Sequence, residues 1–424
     1  MMRSISSAVA GMKVQQTKLD VISNNIANID TVGYKSSRVT FADVISQTLK
    51  SASAPAAITG GTNPMQIGLG VIVSSIDMNT SQGGLSFTGL NTDIAIQGKG
   101  WFVVKRGGNI GYTRAGNFSI DGEGNVVSAN GWKVLGWLPD VNGNFVTEPA
   151  NITPLKVDFY LPIPAIQTTN IALQGNLDAN TPIGGTTTTS INVYDSLGME
   201  YIISITFQKT GVNTWNYTVS VTPPPGVTAT MDPTADEGTI TFNADGSLSS
   251  FTYEDPGNVI RFTTNSGAST PVEFDFSPGT INGFDGLTQF SGDTNAMATK
   301  QNGYPTGHLQ EFGISEDGVI SGSYSNGIRK SLGLIALAVF QNDSGLMREG
   351  NNIFYSSENS GVPKITSPGK MGAGSIAPQT LESSNVDLAA EFSEMIISQR
   401  SFQANSRAIT TADTILEELL RLKR

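Results

Sequence analysis

The two ends of this chain differ from its middle in glycine and proline content. Of 47 Gly and 19 Pro, only Gly11 and Gly33 precede Pro55, and neither type follows Pro378. Each end also repeats apolar residues at every seventh position, in a first row of Ile5, Met12, Leu19 and Ile26 and a second row of Leu388, Met395, Phe402, Ile409 and Leu416. A row of this kind on an unbroken helix requires a partner helix to cover it. The pattern therefore indicates a subunit made to polymerise through its ends.

The spacing of apolar residues predicts a long helix near each end. Residues 3–28 keep three-four apolar spacing until the turn-forming residues 28–33, and residues 384–423 predict a second, longer helix. We assign residues 1–30 and 383–424 to a helical domain at the core of an assembly. Such helices gain most of their stability from packing an apolar face, so we expect them to become ordered when neighbouring copies cover that face.

Stretches with Gly, Pro and small polar residues connect these helices to the middle of the chain. We assign residues 31–72 and 366–382 to connectors, and the first has room for a short helix near 41–49. Gly33 and the segment 51–70 are the candidate hinge elements, because a change of backbone direction is least costly in such segments.

The middle of the chain alternates apolar and polar residues with period two between frequent Gly turns, which is typical of antiparallel β structure. We assign residues 73–148 and 291–365 to a first β domain. A shift in composition near residue 149 predicts a second β domain, residues 149–290, inserted into the first. The predicted fold class is α+β, with paired terminal coiled-coil helices and two mainly antiparallel β domains.

Composition excludes several function classes. The net charge of −11 argues against nucleic-acid binding, which requires a basic face. The chain has no Cys, so it forms no disulfide and has no thiolate nucleophile. No apolar run approaches the ~18 residues of a membrane span, so we expect no membrane insertion. The apolar run before Ala8-Val9-Ala10 is too short for a cleaved signal peptide.

One acidic motif has the spacing of a calcium loop. Asp121, Glu123 and Asn125 occupy its first, third and fifth positions, but Val126 stands where Gly is needed and Trp132 where Glu is needed. We therefore expect a hairpin turn here and no metal.

The remaining candidate catalytic residues are weak. His308 is the only histidine, so one chain cannot form a three-His zinc site. Asp232, Asp236 and Glu237 are close enough in sequence to suggest a glycosidase pair, but they lie in a Pro-flanked turn, where acidic side chains are usually solvated. We expect no catalytic residue and no cofactor.

Two sequence signatures, one at each end, resemble those of a known family. Residues 23–28 and 31–35 read SNNIAN and TVGYK, and they resemble the N-terminal signature of the bacterial flagellar rod, hook and hook-associated axial proteins. The resemblance places Asn25, Asn28, Thr31, Gly33 and Tyr34 in the family motif.

The C-terminal residues 381–405 resemble the paired signature of the same family, and the resemblance adds Asn385, Val386, Asp387, Gln399 and Arg400 to the motif. Phe402 departs from the pattern, because the family commonly has Tyr there. Residues 193–198 and 211–215 are similar to the central segment of the hook members. The shorter distal-rod members lack an insertion like residues 149–290.

The resemblance implies a helical tube of many copies, lined by terminal helices, that acts as a flexible universal joint outside the cell. It also implies export without a cleaved signal peptide, and contacts with the distal rod protein, the hook cap, the hook-filament junction protein and the export apparatus. Two alternatives stay open: another axial protein of this family, and a secreted β-rich surface binder with a helical stalk.

Overall fold

The computed structural model describes residues 2–55, 60–140, 143–255 and 257–421. Helix α1 (Met2–Ala27) and helix α2 (Leu388–Arg421) lie near the two ends of the chain. The strands before residue 158 are β1 (Ser37–Asp43), β2 (Ser46–Lys50), β3 (Met65–Gly68), β4 (Val71–Met78), β5 (Leu85–Phe87), β6 (Ile94–Gln97), β7 (Trp101–Arg106), β8 (Asn109–Thr113), β9 (Phe118–Ile120), β10 (Val126–Ser128), β11 (Lys133–Trp137) and β12 (Thr153–Pro154).

The strands of the middle segment are β13 (Asn170–Asn176), β14 (Thr186–Tyr194), β15 (Glu200–Gly211), β16 (Thr214–Thr222), β17 (Ala229–Met231), β18 (Glu237–Phe242), β19 (Leu248–Tyr253), β20 (Ile260–Thr264), β21 (Val272–Ser277), β22 (Leu287–Thr288) and β23 (Met297–Gln301). The later strands are β24 (Leu309–Ile314), β25 (Val319–Tyr324), β26 (Arg329–Ile335), β27 (Leu337–Val339), β28 (Met347–Gly350), β29 (Ile353–Tyr355), β30 (Lys364–Thr366), β31 (Ser375–Pro378) and β32 (Thr380–Glu382).

The chain folds into two compact units. Unit 1 comprises Met1–Asp158, Phe312–Gly322 and Lys330–Arg424, and unit 2 comprises Phe159–Glu311 and Ser323–Arg329. Most strand pairs in both units are antiparallel, so the α+β class with a helix at each end is confirmed. The four-part division into domains and connectors stays a prediction.

The core of unit 1 forms around β7. All four side chains of Trp101–Val104 are buried, because β7 pairs with β8, β11 and β27 and lies in the middle of a sheet. Phe354 of β29 packs on Trp101 with ring centroids 4.8 Å apart. This rigid centre holds the segments to which both helices attach.

Unit 2 is a sandwich of two sheets over one apolar core. The sheet β14-β15-β16-β18-β19 is antiparallel throughout, and β13 of the second sheet pairs in parallel with β21 and β22. Along β15 the alternate residues Tyr201, Ile203, Ile205 and Phe207 are fully buried, while Ile202 is exposed and Ser204 and Thr206 are half-buried. The sequence periodicity gave the correct type and placement for these strands.

Residues 41–49 form no helix, so that prediction was wrong. Phe41 continues β1, which pairs with β4 in a register that places Phe41 opposite Val73. The alternation of Val39 and Phe41 with polar residues is a strand pattern, and pairing with the neighbouring strand β4 makes this segment a strand. The second connector also contains strands, since β31 pairs with β6 and β32 with β5.

Helix α2 begins four residues later than predicted, because the Asp387 side chain caps it. One carboxylate oxygen of Asp387 accepts hydrogen bonds from the backbone N–H groups of Ala389 at 2.9 Å and Ala390 at 3.3 Å. An aspartate in this position satisfies donors that the first turn leaves free. The predicted C-terminal limit, residue 423, lies outside the described residues.

We predict that Phe207→Ala lowers the free energy of unfolding of unit 2 by about 3–5 kcal/mol, because it removes a fully buried ring. Fluorescence of Trp215, which lies in unit 2, should report the change during urea denaturation. The neighbouring Thr206→Ala is the control, since its side chain faces the other side of β15. An equal effect of both changes would contradict the assignment of the core.

Candidate assembly interface

The two helices of unit 1 pack side by side in antiparallel directions. Gly11 lies against Asn405, Lys18 forms an ion pair with Glu394, and Asn25 donates a hydrogen bond to Glu391 at 2.9 Å. As the numbers rise along α1 they fall along α2, which defines the antiparallel pairing.

A row of small and polar residues lies at the seam between the helices, beside the apolar side chains of Ala8 and Ile22, which share this face of α1 and are only 6% and 4% exposed. On α1 it follows Gly11, Lys18 and Asn25, which are seven residues apart. On α2 it follows a second seven-residue series, consisting of Glu391, Ser398, Asn405 and Ala412. Ser398 is fully buried, and its hydroxyl has no hydrogen-bond partner within the described residues. We term these small and polar residues of the two helices the polar row.

The predicted apolar row of α2 lies at spacings of three and four residues from the polar row, and that of α1 lies one residue beyond it. Ile5, Met12, Leu19 and Ile26 are all half-buried. On α2, Met395, Ile409 and Leu416 are half-buried, while Leu388 and Phe402 are 39% and 36% exposed. The apolar rows were the stronger sequence signal, and the polar row escaped notice because its residues are not hydrophobic.

One flank of α2 carries an apolar stripe. Leu388, Phe392, Ile396 and Phe402 are exposed and Met395 among them is half-buried; spacings of mainly three, four or seven residues place all five on one side of the helix. Phe392 and Ile396 are 50% and 53% exposed. Large apolar side chains that stay uncovered in series mark a surface suited to another chain. We term this surface the α2 stripe.

A buried ion cluster joins the segments that follow α1 and precede α2. The Glu382 carboxylate accepts hydrogen bonds from Lys35 Nζ at 2.7 Å, from the Gly83 backbone N–H at 2.9 Å and from Arg114 Nη1 at 3.3 Å. All three charged side chains are buried. Burial lowers the pKa of Lys35 and of Arg114, and the Glu382 carboxylate opposes that shift in both. We term this cluster the clasp.

Asn25 and Tyr34 of the family motif connect α1 to the clasp. Asn25 is buried, and its amide donates to the Ser37 carbonyl at 2.8 Å while its oxygen accepts from the Ser37 N–H at 3.0 Å. The Tyr34 hydroxyl lies 3.3 Å from the same oxygen. The Arg348 guanidinium covers the Tyr34 ring at 4.8 Å. Asn25 therefore holds the end of α1 against the chain that leaves it.

Asn385 ties the start of the C-terminal segment to the same place. Its side-chain oxygen accepts from the Ser36 N–H at 2.7 Å, and its amide donates to the carbonyls of Asn79 and Ser81. Gly33 has φ of +69°, and its N–H donates to the Glu382 carbonyl at 2.7 Å. A Cβ at Gly33 would lie 2.6 Å from backbone atoms of residues 114 and 115, so only glycine fits.

Some of the other motif residues support local turns, and others have no role in holding the fold. The Thr31 hydroxyl donates to the Asn28 side-chain oxygen at 3.2 Å, which supports the turn after α1. Val386 is half-buried beside the cap residue Asp387, and Gln399 and Arg400 are exposed. Of the clasp, Arg114 gave no sequence signal, because its partners are distant in sequence.

A hairpin formed by β2 and β3 exposes a second apolar surface. Their register places Gln47 opposite Ile67 and Lys50 opposite Met65, with a bulge at Leu49. Leu49 and Met65 are 54% and 57% exposed. A two-stranded hairpin of this kind is at best marginally stable in water by itself.

The residues weighed for metal binding lie in turns. Asp121 accepts hydrogen bonds from the N–H groups of Glu123 at 2.9 Å and Asn125 at 2.7 Å, which closes the expected hairpin turn. These hydrogen bonds hold the pKa of Asp121 below its usual range, the Asn125 side chain contributing most. Within the described ranges no group of three or more His, Asp and Glu is placed to hold a metal ion. Neither described helix is long and apolar enough to cross a bilayer.

The fold and the paired ends define a class of protein, an axial subunit whose terminal segments lie together. Four family models match parts of the chain: "Flagella basal body rod protein" at residues 5–35, "Flagellar hook protein FlgE/F/G D1 domain" at 95–179, "Flagellar basal body protein FlaE D2 domain" at 164–304, and "Flagellar basal body rod FlgEFG protein C-terminal" at 377–422.

Similarity to individual proteins indicates which member of this class the chain resembles. The chain is 39% identical over 464 residues to the flagellar hook protein FlgE of Treponema pallidum, and the alignment covers all of both chains. The crystal structure of the Helicobacter pylori flagellar hook protein FlgE2 matches with a TM-score of 0.55 and 17% identity, covering 70% of this chain and all of that one. At that identity the structural match shows the fold alone.

The chain belongs to the flagellar hook protein family. It is accordingly a structural subunit of the bacterial flagellar hook, the universal joint of an extracellular appendage, and it forms a homopolymer there. The flagellar basal-body rod protein FlgG of Bacillus subtilis is also 30% identical over 425 residues, with full coverage of both chains. The contrast between hook and rod members at residues 149–290 stays a prediction.

We predict that Glu382→Gln lowers the free energy of unfolding of unit 1 by about 3–5 kcal/mol, because it leaves two buried cations without a counter-charge. Chemical denaturation followed by far-ultraviolet circular dichroism measures the change. Glu316→Gln, at an exposed carboxylate of the same unit, is the matched control. Equal stability of the two variants would contradict the role of the clasp.

Proposed function

We propose that the subunits polymerise into a helical tube through their terminal helices, with the α2 stripe buried against neighbouring copies. The observation that carries this proposal is that α2 has two different sides, one packed on α1 and one left open. Within one subunit α1 covers the polar row and leaves the α2 stripe open. Burial of each large apolar side chain contributes roughly 1.5–3 kcal/mol, and only another copy is available in a homopolymer to provide it.

The apolar rows Ile5 to Ile26 and Leu388 to Leu416 are, on this proposal, the residues that neighbouring copies cover. Their half-buried state supports it, since each retains surface that a further helix can cover. The hairpin of β2 and β3 supplies a second patch. The motif residues Asn25, Tyr34 and Asn385 fix the position of the helix pair on the β structure of unit 1. All copies therefore present the same surface.

The same subunit surfaces are proposed to meet the specific partners at the ends of the tube, namely the distal rod protein, the hook cap and the hook-filament junction protein. We also propose passage through the flagellar export apparatus without signal cleavage. Ala8 supports this, because it is buried in the helix pair and cleavage after Ala10 would remove it.

The protein is proposed to have no catalytic activity. The acidic cluster considered for glycoside hydrolysis is occupied by structural contacts: the Asp232 carboxylate accepts hydrogen bonds from the Thr234 hydroxyl at 2.7 Å and from its N–H at 3.0 Å. These hydrogen bonds lower the pKa of Asp232, the side-chain one most, which favours the ionised form over a general acid. Release of sugar from a flagellar or cell-wall glycan by the purified protein would contradict this.

Met395→Asp and Ile396→Asp should each abolish tube formation, because a charge would have to be buried in the subunit contact. Negative-stain electron microscopy of the purified protein measures assembly, and the melting temperature of the monomer tests folding. Thr411→Asp, on an exposed face of α2 away from the α2 stripe, is the control and should assemble. Tubes from the two stripe variants would overturn the proposed interface.

Removal of residues 388–424 should leave a folded, soluble protein that forms no tubes. The clasp residue Glu382 and the tether Asn385 both precede the deletion, so the β structure keeps its supports. Size-exclusion chromatography and electron microscopy report the outcome. A small, closed oligomer from the full chain would instead favour the surface binder with a helical stalk.

A further inference from the structure

Apolar rows with a seven-residue period do not by themselves fix how two helices align. If α2 moves along α1 by seven residues, Met395 takes the place of Phe402 or Leu388, and one apolar side chain replaces another. Neighbouring registers therefore offer similar apolar contacts. A helix pair with such rows needs a non-repeating element to select one alignment, and in coiled coils a buried polar residue commonly does so.

The polar row is such an element: its positions recur every seven residues, but the residue type differs at each position. At one end, Gly11 accommodates Asn405: a Cβ on Gly11 would lie 2.7 Å from the Asn405 amide nitrogen. In the middle, Lys18 reaches Glu394. At the other end, the Asn25 amide lies 2.9 Å from a Glu391 carboxylate oxygen. A small residue, a cation and an amide thus face three different partners in order.

We infer that the polar row sets the antiparallel register of α1 and α2, with Lys18 and Glu394 as positioning residues, while the apolar rows contribute surface without selecting an alignment. This inference concerns the inside of one subunit. It does not depend on the proposed polymer contacts, and it can fail while they hold.

A slip of seven residues in either direction removes specific contacts. In one direction Ala412 faces Gly11, Ser401 replaces Glu394 near Lys18, and Asn25 loses Glu391. In the other direction Ser398 faces Gly11, and Asn25 faces residue 384, which precedes α2. Asp387 would then approach Lys18 and replace Glu394 as its partner. The ion pair alone therefore distinguishes the observed register only weakly from this slipped register, and the contacts of Asn25 and Gly11 must provide the remaining preference.

The absence of cysteine from the chain allows a direct measurement of register. A Gly11→Cys, Asn405→Cys pair places two Cβ atoms close together in the observed register and should form a disulfide within one chain on mild oxidation. Gly11→Cys combined with Ser398→Cys or with Ala412→Cys reports the two slipped registers. Dilute monomer is used, and the faster gel mobility of an internally linked chain separates it from linked dimers.

Glu394→Lys in the Gly11→Cys, Asn405→Cys background should lower the rate of disulfide formation by about fivefold or more, because it places two cations together. The same change should raise cross-linking in a slipped pair. Adding Lys18→Glu restores the opposite charges and should restore the original rates. Glu417→Lys, which makes the same charge change at an exposed position of α2, is the control and should have no effect.

Two results would overturn the inference. Unchanged cross-linking in the Glu394→Lys chain would mean that Lys18 and Glu394 are not positioning residues, and that Asn25, the clasp and Asn385 hold α2 in register without them. Loss of cross-linking that Lys18→Glu does not restore would mean that Glu394 acts through some other contact. A neutral pair, Lys18→Leu with Glu394→Leu, provides a second measurement: it should keep the helices together but distribute disulfides among registers, and a single register would also count against the inference.

Discussion

The buried contact of Glu382 with Lys35 and Arg114 supports the rest of the structure. Lys35 follows α1 and Glu382 precedes α2, so one carboxylate brings together residues from opposite ends of the chain. Two buried cations share that buried carboxylate, and removing one partner of such a group costs far more than an exposed ion pair contributes. Because of this constraint both helices join the β structure of unit 1 at one place, and they meet as a pair.

The helix pair combines two surfaces with different purposes. The polar row, with Lys18 facing Glu394, serves contacts inside the subunit. The α2 stripe, with Phe392 and Ile396 half-exposed, keeps its apolar surface for other chains. A subunit of a polymer gains from this arrangement, because a fully apolar seam within the monomer would compete with assembly for the same residues.

The sequence indicated the fold class, most strands of both units and the family, since each depends on local pattern or on motifs at fixed spacing. Strands such as β15 could be predicted because Ile203, Ile205 and Phe207 alternate with the polar Ser204 and Thr206. Residues 41–49 could not, since Phe41 becomes part of a strand only when β4 pairs with it. The cap at Asp387 was readable in principle, because aspartate before an apolar helix is a start signal.

The sequence by itself determined that both ends are helical, carry seven-residue apolar rows and bear the signatures of one family, because a helix fixes which residues share a face. Only the tertiary structure decided which face of each helix is used inside the subunit. That choice depends on where the helices join the β structure of unit 1, and hence on Arg114 and Glu382, which are 268 residues apart. Spacing along a helix cannot encode a contact made across such a distance, so the sequence predicted the helices but not how they pair.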